Sequence, residues 1–377
     1  MDLIGYIVIL IMGIKHNLLV SSYYKVRKQL LHFSRLIEFK VNRTLAPKKV
    51  KSVKLVAVAK NESAYLLEWI FHHLYMGFSE IDIYYNGCSD NTLDLIPLLK
   101  DFPVNFINAD DTFDASTTTP QVDIYRQCFR LRENRKFDAL MFLDIDEFWV
   151  PNNFEDKISD VCNRVGEFES VSFQWKNKLE RNNPFAPALE KTINVEAAKQ
   201  IKTLYRAYLK PTRMNPHNVL DNELNQKYED GKTLETVNDQ HSQCQLSDSS
   251  TNAFILHRKD RSEFEYIAML LRGRPINTRA SQEEFALKGN RHGFKLSYDS
   301  KTLTFNSAAF LHYRNYMETI LNSSAFNSFQ KDAKLQVDMR YSLVLEVISK
   351  ASERDTVLLD KLLTNITLPD VNHVYPK

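Results

Sequence analysis

Glycine is scarce in this chain, with nine residues among 377. That scarcity argues against a phosphate cradle woven from a glycine-rich loop. The one near-match, Gly231-Lys-Thr233, has Gln226 where such a loop begins with glycine. Cysteine is sparse as well. Cys88, Cys128, Cys162 and Cys244 are scattered without a C-x-x-C pair, which is neither a zinc pattern nor a disulfide framework and fits a reducing compartment. Neither sign of charge is in excess. With 49 basic and 47 acidic residues the net charge is +2, so bulk charge makes no case for a nucleic-acid partner. A long apolar run is missing too. The first one stretches from Leu3 to Ile14, short of the roughly 20 residues that a bilayer span needs. Extending it to Val20 brings in Lys15, His16 and Asn17.

What remains is the composition of a folded protein, 44% hydrophobic and 25% charged, long enough for one large domain or two smaller ones. Basic residues follow the first apolar run instead of preceding it, unlike a secretory signal. By the positive-inside rule they keep the body of the chain in the cytoplasm. From Tyr23 to Leu36, apolar and basic residues alternate at roughly helical spacing. Such a pattern suits a helix lying on an anionic membrane surface, giving peripheral contact through residues 1–40. It suits equally a helix packed on the body of the protein. Residues 42–53 are basic and contain Pro47, and read as a linker.

A regular rhythm then begins. Val53–Ala59 reads as a strand and Lys60–Ser63 as a capping turn. Residues 64–75 read as a helix with Leu66, Leu67, Ile70, Phe71 and Leu74 on one stripe, stopped by Gly77. Strands follow at 81–85 and 104–107, separated by a turn at 86–92 and a helix at 93–99. A polar loop over 110–120 leads into a helix over 122–135 and a fourth strand from Ala139 to Asp144. Alternation at this spacing predicts an α/β fold with a parallel sheet and helices on both faces. Ligands of such sheets sit beyond the carboxyl ends of the strands. Glu62, Asp90, Asp144 and Asp146 all follow strand ends. They either meet at one rim or, for Glu62 and Asp90, simply cap helices.

The stretch Ala139-Leu-Met-Phe-Leu-Asp-Ile-Asp-Glu-Phe-Trp149 passes from an apolar run into three acids. Three acids cannot sit unpaired in a core. On an extended backbone Asp144 and Asp146 point the same way, and two hard carboxylates at one point suit magnesium or manganese. A strand end turning into solvent is the plainer reading of the same residues.

Taken in order, these turns resemble the nucleotide-sugar half of a GT-A glycosyltransferase close to family 2. The match is to the branch with N-E-x-x-Y-L-x-E-W-I-x-x-H-x-x-x-G, here Asn61, Glu62, Tyr65, Leu66, Glu68, Trp69, Ile70, His73 and Gly77. Tyr84-Tyr-Asn-Gly-Cys-Ser-Asp-Asn-Thr92 is similar to the family's second turn, and Asp144, Asp146, Glu147 and Phe148 to its D-x-D-E-F metal motif. Lys202–Arg206 followed by His217, and Ile255–Phe264 followed by Arg272-Gly-Arg274, resemble later family stretches more faintly. The resemblance implies a GT-A domain over 51–300, with a nucleotide-sugar half to 150 and an acceptor half after it. Residues 1–50 form an N-terminal helix and linker, and 301–377 a helical C-terminal subdomain.

It further implies transfer of a sugar from a nucleoside diphosphate donor, a UDP-sugar first, to a hydroxyl of a glycan or lipid-linked acceptor in surface polysaccharide or lipopolysaccharide synthesis. Manganese or magnesium would offset the leaving diphosphate's charge. Asp146 is the expected direct ligand, with Asp144 on the ion or the ribose, and Asn61, Glu62 and Asp90 around the nucleoside. His257 is the expected third ligand, ahead of His217 and His312. Lys259 and Arg261 then face the diphosphate. Glu180 is named as general base. Two rival readings stand beside this one. A degenerate scaffold protein would keep the fold without the reaction. A nucleotidyltransferase would carry a glycine-rich, basic loop where Lys60-Asn-Glu-Ser63 stands.

Overall fold

The computed structural model describes residues 37–116, 119–221, 224–246, 252–272, 287, 289–297 and 299–368. The apolar run at 3–14, the basic stretch at 23–36, and Gly273 and Arg274 lie outside them. Helix α1 covers residues 37–45. There follow β1 (Val53–Ala59), α2 (Ser63–Tyr75), β2 (Glu80–Tyr85), α3 (Leu95–Leu98), β3 (Val104–Asn108), α4 (Asp110–Ala115), α5 (Pro120–Cys128) and β4 (Ala139–Phe142). The second half holds β5 (Glu147–Pro151), α6 (Ile158–Val165), β6 (Ser170–Lys178), β7 (Thr192–Arg206), β8 (Gln226–Tyr228), β9 (Ala253–His257) and α7 (Glu263–Met269). The chain closes with β10 (Lys301–Thr304), α8 (Ala308–Leu321), α9 (Ser324–Ser349) and α10 (Thr356–Leu362).

One sheet of ten strands runs β3-β2-β1-β4-β7-β6-β9-β5, with β10 added on β7 and β8 on β6. Its first four strands are parallel, as the alternation of strand and helix requires. Beyond β4 the sheet turns mixed, because β7 pairs antiparallel with both β4 and β6. The result is an α/β sheet with a parallel first half joined to a mixed second half. Strand β1 is buried on both faces. Leu55 and Ala57 join a core with Leu66 and Ile70 of α2, while Val56 joins a second core with Tyr125 of α5 and Phe142. Period-two alternation thus sends one strand into two layers.

Two local expectations change. The loop at 110–120 contains α4, and the helix expected to reach Arg135 stops at Cys128. There the Asn134 side chain donates to the Cys128 carbonyl at 2.9 Å, closing the helix end, and the chain resumes as a 3-10 turn over Arg132–Lys136. Gly77 ends α2 with φ +90°, and a Cβ there would stand 2.8 Å from Lys157 Cβ. Among the described residues no helix is long and apolar enough to cross a membrane.

The C-terminal helices lie over α2. Phe326 packs on Phe71 with centroids 5.3 Å apart, and Arg340 donates to the Asn61 carbonyl at 3.1 Å. A pair of buried histidines ties the layers together. His72 contacts the Trp149 carbonyl through Nε2 at 2.8 Å and Tyr313 Oη through Nδ1 at 3.0 Å. His73 contacts the Trp69 carbonyl through Nδ1 at 2.8 Å and accepts from Trp149 N–H through Nε2 at 3.2 Å. These partners suit one donor and one acceptor nitrogen on each ring, which is the neutral imidazole. Burial lowers His72 to about 4 and, with His72 beside it, holds His73 well below 6.5.

The unfolded chain therefore binds protons at these sites first as pH falls below 6.5, and stability drains away between pH 6.5 and about 4. Each histidine contributes up to about 1.4 kcal/mol per pH unit in that window. Urea unfolding at pH 7.5, 6 and 5 is expected to show this slope, and His72→Gln to flatten it. An equal slope in the variant would remove His72 from the account.

Candidate functional site

The carboxylates after β4 sit in a turn, not on an extended strand. Glu147 N–H donates to the Asp144 carbonyl at 3.0 Å, and Asp144 N–H donates to Glu147 Oε2 at 2.9 Å. The Trp69 indole of α2 clamps the turn, donating to the carbonyls of Asp144 at 3.1 Å and Glu147 at 2.8 Å. A turn abolishes the alternation that would have aimed Asp144 and Asp146 at one point. Their side chains find different partners instead.

Asp144 is held by Lys202 Nζ at 2.9 Å and Gln121 Nε2 at 2.7 Å. Lys202, delivered by β7, also lies 3.0 Å from Glu147 Oε2. Burial works against the ammonium charge, but Asp144 and Glu147 outweigh it and raise Lys202 well above its usual range. Burial pushes Glu147 the other way, well above the usual carboxylate range, with Asp144 and Asp146 adding to it. Of the two acids, wholly buried Glu147 is the one driven toward its neutral form, and its Oε1 has no hydrogen-bond partner among the described residues.

Asp146 faces His257, with Oδ2 and Nε2 3.8 Å apart. Pairing of β5 with β9 sets this geometry: Glu147 stands opposite His257, and Arg258 N–H donates to the Asp146 carbonyl at 2.8 Å. The His257 ring lies against Trp175 with centroids 4.0 Å apart, and its Nδ1 meets Asn177 Oδ1 at 3.1 Å. That contact places the proton on Nδ1 and leaves the Nε2 lone pair toward Asp146. Burial alone would raise Asp146; when the ring is protonated at Nε2 as well, His257 together with Arg261 and Arg291 holds it far below the usual carboxylate range, and a metal ion at Nε2 would stand in for that proton. A carboxylate and an imidazole lone pair, too far apart for a hydrogen bond, make a donor pair that fits one divalent ion. Among the described residues no group of three or more His, Cys, Asp or Glu could hold a metal, so such an ion would need further ligands from a bound substrate or water. Asp146 and His257 line a cleft of about 640 Å³ whose wall also carries Lys199, Lys259, Arg291, Lys295 and Glu196.

The other expected site residues are placed differently. Asn61, at φ +54°, accepts from the amides of Ser89 at 2.7 Å and Asp90 at 3.2 Å. Asp90 accepts from Ser63 N–H at 3.1 Å and Thr92 N–H at 3.0 Å, which is the capping role. Glu62 is paired with Arg261, whose guanidinium also lies 3.4 Å from the Tyr65 ring centroid, and with Arg272. Asn61, Glu62, Asp90 and Arg261 do not line the cleft. The single acidic rim is therefore two clusters, because arginines from later in the chain neutralise Glu62 locally.

Glu180 needs correction as a base. Its carboxylate is buried and held by Arg258 at 2.7 Å and Lys178 at 2.7 Å. Burial would raise it, but these two cations lower it, the reverse of what a base requires. His217 bonds the Ile201 carbonyl at 2.9 Å behind Trp175, and burial and Lys202 lower it to about 4. His312 lies on α8, 3.0 Å from Tyr75 Oη. Sequence reasoning missed Lys202, Trp69, Arg291, Lys295 and Glu196. Trp69 carried a signal as a member of the family-like helix pattern, and Lys202 a fainter one as the start of the family-like Lys202–Arg206 stretch.

No family model matches this chain, and no curated protein matches it. Among solved structures, HddC from Yersinia pseudotuberculosis is similar with a TM-score of 0.28 and 10% identity, over 46% of this chain and 88% of that one. Glucosyl-3-phosphoglycerate synthase from Mycobacterium tuberculosis, in complex with Mn2+, UDP and glucosyl-3-phosphoglycerate, gives 0.24 and 14% over 33% of this chain and 44% of that one. A 4-diphosphocytidyl-2C-methyl-D-erythritol synthase gives 0.25 and 11% over 42% and 76%. Likenesses of this size carry no functional argument, and the reading of the site rests on its own side chains.

Removing the Lys202 charge leaves wholly buried Glu147 and half-exposed Asp144 side by side without a cation. Lys202→Met is expected to cost about 3–5 kcal/mol in urea unfolding. Glu147→Gln, which keeps the shape and the amide contact, is expected to cost less than about 1.5 kcal/mol. Equal costs would show that the ammonium is not the keystone of the turn.

Proposed function

We propose that this protein is a metal-dependent glycosyltransferase that moves a sugar from a nucleoside diphosphate donor to a hydroxyl of a glycan or lipid-linked acceptor. One observation carries the reading: the Asp146–His257 donor pair opens into a cleft walled by Lys199, Lys259, Arg291 and Lys295. A divalent ion and several cations around one cleft suit a diphosphate, which gains charge as it leaves. Asp146 and His257 would hold manganese or magnesium, and bound there the ion would supply Lewis-acid stabilisation of the departing diphosphate. Lys259 and Arg291 orient the phosphates by charge-assisted hydrogen bonds. Lys202 and Trp69 hold the carboxylate turn so that Asp146 points outward.

Glu196 takes the role of base. It and Asp146 are the carboxylates among the described residues that line the cleft, which Glu180 does not; Glu196 pairs at 2.6 Å with the exposed Lys295, a contact that must open before the carboxylate accepts a proton. On the sheet it stands beside Asn177, which stands beside His257, so a row across β7, β6 and β9 brings it to the metal side.

Manganese is expected to raise the melting temperature with UDP or another nucleoside diphosphate by an amount equal to about 2.7 kcal/mol at a hundred times Kd. Asp146→Asn and His257→Ala are each expected to abolish the manganese-dependent part and to lower donor hydrolysis about 100-fold. Hydrolysis that survives Asp146→Asn would refute the metal assignment. Manganese-dependent binding without any turnover would favour the scaffold reading.

Glu196→Gln is expected to lower kcat about 100-fold or more with donor affinity unchanged. Glu180→Gln is expected to lower the melting temperature instead. The opposite pattern in steady-state kinetics would return the base to Glu180.

A further inference from the structure

Helix α1 is fastened by one side and bare on the other. Phe39 rests against Tyr208 with centroids 6.2 Å apart, Glu38 pairs with Lys210, and Arg43 pairs with Glu169 at 3.0 Å. On the opposite side Ile37, Val41 and Leu45 recur every fourth residue, 48%, 49% and 76% exposed. Residues four apart form one edge of a helix. Lys40 on the helix and Lys48, Lys49 and Lys51 just after it are exposed as well. The result is an aliphatic edge with one lysine on the helix and three just after it; Glu38 borders Leu45 on this same edge, and Lys210 engages its charge.

We propose that this edge docks on an anionic lipid surface. The aliphatic side chains enter the headgroup–acyl boundary while the lysines meet lipid phosphates. Charge selects this occupant over a second copy of the chain. The 36 residues before α1 contribute Lys15, Lys25, Arg27, Lys28 and Arg35, and from Leu3 to Ile37 the sequence has no acid. Two such edges would repel each other, whereas an anionic bilayer attracts both the edge and the segment that leads to it.

The fold also says which way the bound protein faces. The linker after α1 is pinned by Asp138, whose carboxylate accepts from Lys51 N–H at 2.8 Å and Ser52 N–H at 3.0 Å. Asp138 immediately precedes β4, whereas Asp146 follows it, so α1 joins the sheet at the end opposite the cleft. The edge therefore anchors the protein with its cleft turned away from the lipid beneath α1. This inference stands whether or not the cleft transfers a sugar.

Sedimentation of the full chain with phosphatidylcholine vesicles, with and without phosphatidylglycerol, tests it. Binding is expected only with phosphatidylglycerol and is expected to weaken with salt. The double variants Val41→Asp/Leu45→Asp and Lys48→Glu/Lys49→Glu are each expected to lower the apparent lipid affinity about tenfold, with unchanged melting temperature. A polarity-sensitive fluorophore on Val41→Cys is expected to shift to the blue on phosphatidylglycerol vesicles, which reads the edge itself and not the segment before it. Unchanged binding in both double variants, or no shift at position 41, overturns the proposal. So does a sizing column on which Val41→Asp/Leu45→Asp dissolves a dimer while lipid binding stays the same.

Discussion

A single buried ammonium, that of Lys202, sets the shape of the candidate site. It lies between Asp144 and Glu147, where β4 gives way to a tight turn. Without it, wholly buried Glu147 would have no cation beside it and half-exposed Asp144 would face it as a like charge. Lys202 makes the turn possible, and β7 can deliver it because that strand runs antiparallel beside β4. The desolvation cost of three ionisable groups is offset by their mutual contacts and by the Trp69 clamp. With Asp144 and Glu147 turned to Lys202, Asp146 is left as the carboxylate that meets His257 and the cleft.

The same logic of local neutralisation divides the rest of the rim. Arg261 and Arg272 draw Glu62 into a cluster under the Arg340 side of α9, while Lys259 and Arg291 remain beside the cleft. Long-range packing enforces the division. Phe326 and Tyr313, from the two helices after β10, press on Phe71 and His72 of α2 and so fix the helix that carries Asn61, Glu62 and Trp69 to the sheet. A site made of short turns is held steady by helices that touch none of its reacting groups.

The parallel half of the fold was legible because its signals are local. Apolar strand runs, the Leu66–Ile70 stripe and the Gly77 stop placed β1, α2 and β2 within a residue or so of their observed bounds. The D-x-D stretch was legible as chemistry but not as geometry. Nothing within a few residues of Asp144 announces a lysine 58 positions later or a tryptophan 75 positions earlier. His257 could be chosen among the histidines from its basic surroundings, yet the β5–β9 register that brings it to Asp146 joins strands about a hundred residues apart in the chain. Glu180 shows the converse. Its sequence neighbourhood gives no sign of Arg258, whose guanidinium turns a candidate base into a buried ion pair. Features fixed by near neighbours, such as the Gly77 stop, were legible, whereas contacts made by strand pairing, such as Lys202 with Asp144, were not.

On the proposed reading, Asp146 and His257 hold a divalent ion against a nucleoside diphosphate in the cleft. A crystal grown with manganese and UDP tests it most directly, through the anomalous signal of the metal. One peak is expected within bonding distance of both Asp146 Oδ2 and His257 Nε2, with the diphosphate turned toward Lys259 and Arg291. UDP bound in the cleft with no peak there, or a peak on Asp144 with Lys202 displaced, would contradict it.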